Sequence, residues 1–66
     1  MQIKLNGADR EVPDNLDLSG LIRECKLTPD KVAVELNRRL VRSEKYDTVL
    51  KSGDEVEIVT FVGGGA

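Results

Sequence analysis

Apolar and polar positions alternate at the start of the chain. Met1, Ile3 and Leu5 share one face and Gln2 and Lys4 the other, which predicts a half-buried β-strand. Asn6-Gly7 follows; both residues tolerate positive φ, so the chain turns back in a tight hairpin. The return strand covers residues 9–12 and stops at Pro13, which lacks a backbone donor. The period then changes. Leu18, Leu21, Ile22 and Cys25 fall at i, i+3, i+4 and i+7, the stripe of an amphipathic helix that packs on the sheet. Asp17 precedes the stripe as an N-cap, its carboxylate accepting from orphan amides. Gly20 inside the helix costs about 1 kcal/mol against alanine. It reads as close helix–sheet approach or as a tolerated cost. Pro29, in Thr28-Pro29-Asp30, ends the segment.

Alternation returns in Val32-Ala33-Val34-Glu35-Leu36, with Val32, Val34 and Leu36 on one face. Asn37-Arg38-Arg39 reads as a turn and Leu40-Val41-Arg42 as a short return strand. Residues 43–51 place Tyr46, Val49 and Leu50 among polar neighbours, a short helical turn or irregular crossover over the core. Ser52-Gly53-Asp54 is a turn, and residues 55–62 form the last strand. On it Val56 and Ile58 share the core face, and Glu55, Glu57, Val59 and Phe61 face away. Two strands, a helix and three further strands place one main helix across one face of a mixed sheet. The crossover rule sets the strand after the helix parallel to one of its predecessors. The predicted fold is α+β, a β-grasp (ubiquitin-like) roll over residues 1–62, followed by a flexible glycine tail at 63–66.

Size and composition narrow the function. A chain of 66 residues makes one domain with a modest core. Cys25 is the single cysteine, so no internal disulfide helps, and a reducing, cytoplasmic setting is expected. There is no histidine, which excludes a histidine-based triad and a histidine-ligated zinc. No apolar run approaches the roughly 20 residues that span a bilayer. A net charge of −2 and two aromatics, Tyr46 and Phe61, argue against nucleic-acid binding. Cys25 on the helix stripe reads as a small hydrophobe. Arg38, Arg39, Arg42 and Lys45 read as a solvated basic turn. No paired carboxylates, metal-ligand cluster or phosphate loop stands out, so no catalytic residue and no metal ligand is assigned.

The tail carries the chemistry. Gly63-Gly64-Gly65-Ala66 follows the β-branched run directly and has no Cβ before Ala66. Three glycines resist ordering, so the segment is a frayed end, a cloning scar, or an arm that threads a narrow channel and delivers a terminal carboxylate. Beside it, exposed Val59 and Phe61 with Glu57 make an apolar docking patch flanked by acid; the competing reading has Phe61 closing the edge of the core.

Val32-Ala33-Val34-Glu35-Leu36-Asn37, Gly53-Asp54-Glu55-Val56-Glu57-Ile58 and the terminal Val62-Gly63-Gly64-Gly65 resemble the ThiS family, the sulfur carriers of thiamine biosynthesis, over essentially the whole chain. The resemblance implies a carrier and not an enzyme. Its terminal glycine is adenylated with ATP by a ubiquitin-activating-like adenylyltransferase of the ThiF type. Sulfur delivered as a persulfide, from a donor such as a cysteine desulfurase, then replaces AMP. The resulting thiocarboxylate is consumed by a thiazole synthase of the ThiG type. The carrier binds no cofactor itself; ATP is used by its partner. The resemblance also implies that Val59, Phe61 and Glu57 dock the activating enzyme. Members of the family normally end on the second glycine, whereas Ala66 follows Gly65 here. The expected working terminus is therefore Gly65, with Gly64 behind it, after a metallopeptidase removes Ala66. Carriers trimmed in this way also supply cysteine or methionine synthesis, and the molybdopterin-synthase small subunit is a related alternative. A β-grasp interaction module without tail chemistry is the reading from a different class.

Overall fold

The computed structural model describes residues 1–61. The glycine tail, its predicted working terminus and the boundary set at residue 62 lie outside the described residues.

The first hairpin pairs β1 (Gln2–Leu5) with β2 (Ala8–Glu11) antiparallel. Asn6 and Gly7 turn it with φ of 51° and 85°, the left-handed pair that matches strand twist. The helix α1 spans Leu18–Glu24. The Asp17 side chain caps it, accepting from the Gly20 amide at 2.7 Å. The helix stops before Pro29. Lys26 takes φ 62°, the Leu27 N–H donates to the Ile22 carbonyl at 3.1 Å, and the Lys26 N–H donates to Arg23 at 2.9 Å. This paired closure satisfies the last carbonyls. The helix is therefore ended by its own C-terminal turn, and Pro29 begins a separate 3₁₀ turn, Pro29–Lys31.

The second hairpin pairs β3 (Val32–Leu36) with β4 (Arg39–Val41). Its turn is the two residues Asn37 and Arg38, at φ 52° and 72°, so Arg39 belongs to the strand and Arg42 lies beyond it. A 3₁₀ turn at Ser43–Lys45 opens the crossover. Tyr46 and Leu50 from this crossover seal the core, whereas Val49 is 49% exposed and serves through its backbone, which bridges Asp17. β5 (Glu55–Thr60) closes the sheet, and Phe61 lies just past it.

The sheet order is β2-β1-β5-β3-β4, with β5 central. β5 runs parallel to β1 and antiparallel to β3. The strand after the helix thus shares the sense of β2 but lies three places from it; the hydrogen-bonded parallel pair is β1 with β5. One face of the sheet carries α1. Leu18, Leu21 and Ile22 from the helix meet Ile3, Val34, Val56 and Ile58 from the strands, each less than a tenth exposed. Cys25 is half-buried and packs against this core. The resulting mixed five-stranded sheet with one helix is the β-grasp expected from the pattern.

Gly20 has a local reason. A Cβ there would lie 2.6 Å from Leu16 Cδ1 and 3.1 Å from Asp17 Oδ1. The close neighbours are the preceding leucine and the capping carboxylate, and not the sheet.

Candidate functional site

The face of the sheet opposite α1 is open. Strand alternation and register decide its residues. On β5, Val56 and Ile58 point to the core, while Glu55, Glu57 and Val59 point outward, as does Phe61 just past the strand. Val59 is 58% and Phe61 56% exposed, so neither closes the core. Glu57 is exposed on the same face, and the three predicted docking residues therefore lie together.

The register adds three residues that the sequence reading left out. Ala33 on β3 sits opposite Val59, Glu35 opposite Glu57, and Leu40 on β4 opposite Glu35. Leu40 is 65% exposed. Phe61, Val59 and Ala33 form an apolar strip toward the C-terminal end of β5, with Leu40 on the flanking strand. Strand alternation was visible for these residues; which strand lies beside β5 was not.

Beside this strip the face is acidic. Glu35 and Glu57 are cross-strand neighbours of like charge, an arrangement that disfavours the sheet unless something positive lies over it. Among the described residues no ion pair involves Glu35, Glu55 or Glu57. These three, with Lys4, Gly7, Arg38 and Val56, line a shallow hollow of 390 Å³. Across β1 and β2, Lys4 Nζ reaches Asp9 Oδ1 at 3.2 Å. The hydrogen bond and charge of Lys4, with a smaller contribution from Gln2, hold the Asp9 carboxyl below the usual aspartate range.

The far end of β5 leads into the tail. The Phe61 N–H donates to the Lys31 carbonyl at 2.9 Å, which holds the chain against the start of β3 up to the last described residue. Gly63, Gly64, Gly65 and Ala66 lie beyond it. Among the described residues no group of three or more acidic or sulfur side chains is placed to hold a metal ion. No described helix is long and apolar enough to cross a membrane. The described part of the chain offers an apolar, acid-flanked face at the C-terminal end of β5, an arrangement suited to being held by another protein.

The model of the ThiS family matches residues 3–65. The sulfur carrier protein ThiS of Bacillus subtilis is 37% identical over 65 residues, which cover 96% of this chain and 98% of that one. A thiazole synthase of Magnetococcus marinus is 39% identical over 66 residues, covering 98% of this chain. This chain spans 20% of the length of that synthase. The crystal structure of the thiamine biosynthesis protein ThiS from Geobacter metallireducens superposes with a TM-score of 0.83 at 35% identity, covering 98% of this chain and 100% of that one.

Proposed function

This chain belongs to the ThiS family, and from that premise we propose that it is a sulfur carrier for thiamine biosynthesis, a substrate of other enzymes and not a catalyst. The observation that carries the reading is the match to the Bacillus subtilis sulfur carrier, which runs nearly end to end in both chains.

The chemistry resides in the terminal carboxylate. A carboxylate is a poor acyl donor because oxide is a poor leaving group. Attack of the Gly65 carboxylate on the α-phosphorus of ATP forms an acyl-adenylate and expels pyrophosphate. A persulfide sulfur then attacks the acyl carbon: the carbon–sulfur bond forms and the carbon–oxygen bond to AMP breaks. A thiol completes the step by cleaving the sulfur–sulfur bond, which frees the thiocarboxylate and leaves a disulfide on the donor side. The adenylyltransferase and the persulfide donor supply ATP and sulfur; this chain supplies the arm and the docking face. Glycines suit the arm because they allow a partner's backbone to approach closely and pair with it as an added strand. Val59, Phe61 and Glu57 dock the activating enzyme.

The acceptor proposed is a thiazole synthase. A stretch similar to this whole chain forms a fifth of the Magnetococcus marinus synthase, which supports a carrier and an acceptor that work together. Ala66 favours one variation: the chain is trimmed to Gly65 by a peptidase before activation. That same residue is what keeps cysteine, methionine or molybdopterin synthesis as alternative destinations.

Intact-mass measurement on protein isolated from its own source tests the reading. The expected species has lost alanine and exchanged one oxygen for sulfur. An untrimmed, unmodified chain under sulfur-replete growth would count against the carrier and favour a plain interaction module.

A further inference from the structure

We infer that the carboxamides of Asn6 and Asn37 are positioning residues that fix the register of β5 and so the point from which the tail is delivered; the delivery role rests on the carrier reading above.

The two hairpins hold β5 between them by the same device. Each turns through an asparagine in the left-handed region, Asn6 at φ 51° and Asn37 at φ 52°. Each asparagine reaches back to the backbone of β5. β1 itself supplies little: its register with β5 covers Lys4 opposite Glu55 and Leu5 opposite Val56. Asn6 extends that ladder. Its N–H donates to the Val56 carbonyl at 2.8 Å. Its Oδ1 then accepts from the Ile58 N–H at 2.8 Å, and its Nδ2 donates to the Ile58 carbonyl at 3.2 Å. The side-chain amide stands where the peptide of a longer β1 would stand.

Asn37 does the corresponding work on the other flank. Its N–H donates to the Glu55 carbonyl at 2.7 Å and its Oδ1 accepts from the Glu55 N–H at 2.9 Å. Its Nδ2 donates to Asp54 Oδ1 at 3.1 Å, and Asp54 Oδ2 accepts from the Lys51 amide at 2.8 Å. The turn that launches β5 is thereby tied to the β3–β4 turn.

β5 is gripped at its start by Asn37 and in its middle by Asn6. The ladder shows that Thr60, like Val56 and Ile58, points its backbone groups away from β3. Among the described residues no strand lies on that side beyond Asn6. Asn6 is thus the last hold on the β1 flank before the tail. A slip of two residues, the smallest that keeps the core face inward, moves the tail by about 6.6 Å. A terminal carboxylate that must meet the α-phosphorus of ATP in line cannot absorb that error. A carboxamide offers an acceptor and a donor on separate atoms of one plane, as a peptide does: aspartate loses the donor, and glycine keeps the positive φ while removing both.

The test uses Asn6→Gly and Asn37→Gly, which retain the turn geometry, with Asn6→Asp as the shape-conserving control. Amide hydrogen exchange reads the clamps. The Ile58 amide in Asn6→Gly, and the Glu55 amide in Asn37→Gly, should lose about ten-fold in protection beyond any change at Val34. ATP–pyrophosphate exchange by an adenylating enzyme, with chains ending at Gly65, reads delivery. The expected result is kcat lower by about ten-fold, with KM raised as well because Glu57, Val59 and Phe61 ride on or just past the same strand. A protection loss spread evenly over the sheet, or normal kcat in both variants, overturns the positioning role. If the unmodified chain supports no exchange, the carrier reading fails and the delivery role with it. The hydrogen-exchange pattern then still shows separately whether the clamps exist.

Discussion

Phe61 leaves 56% of its surface to solvent at the point where the sheet ends, and Val59 leaves 58% one alternation earlier. An aromatic ring left more than half exposed at the end of the sheet keeps most of its apolar surface available for burial by a partner. Phe61→Ala should therefore change the thermal midpoint little while weakening binding to the adenylating enzyme proposed above by about ten-fold. Calorimetry and a binding titration check both halves, and a large drop in midpoint would return Phe61 to the core. Asp9 poses a different question at the same scale. Lys4 depresses its folded-state pKa below the ordinary value of 3.8. A depressed value means that the contribution is present above the ordinary pKa and lost as pH falls through the folded one. Asp9→Asn should flatten the acid limb of a urea-midpoint profile below pH 3.8, by a small amount because the pair is exposed and screened. An unchanged acid limb would show that the pair does not persist in solution.

α1 has seven residues, too few to be helical alone in water. Three things hold it: the Asp17 cap, the closing turn at Lys26, and the burial of Leu18, Leu21 and Ile22. Removing the cap with Asp17→Ala should cost about 1 kcal/mol in chemical denaturation. Gly20→Ala separates propensity from packing. Alanine favours the helix by about 1 kcal/mol. Against that, its Cβ meets Leu16 Cδ1 at 2.6 Å and crowds the capping oxygen at 3.1 Å. The denaturation midpoint should be no higher than that of the unmodified protein. A clear rise would mean that Leu16 swings aside freely and that the cap survives.

The proposed function divides the labour between the sheet-and-helix body and the glycine-rich residues that follow it. The packed core described for the molecule is built from Ile3 to Ile58. Deleting residues 64–66 should accordingly leave the thermal midpoint unchanged while abolishing sulfur loading, read as loss of the thiocarboxylate mass. Loading that survives the deletion would remove the tail from the mechanism. The body is held in one arrangement by its central strand. β5 meets β1 on one side and β3 on the other, so its register sets both the open face and the start of the arm.

Much of this was legible in the chain because it depends on neighbours in sequence. Alternation put Val56 and Ile58 inward and Val59 and Phe61 outward; the 3.6-residue stripe of Leu18, Leu21 and Ile22 named the helix face; Asn6-Gly7 named the turn. Side-chain direction along a strand or helix follows from local geometry alone. What lay beyond the sequence was which strands adjoin. The pairing of β1 with β5 closes most of the chain into one loop. The bond from Asn6 to Ile58 spans 52 positions, and no local pattern marks it. Asn6 and Asn37 read as turn formers until the fold brought β5 between them. Ala33, Glu35 and Leu40 likewise joined the open face only through register. Local chemistry decided which way each side chain points, and the packing of distant segments decided what it meets there.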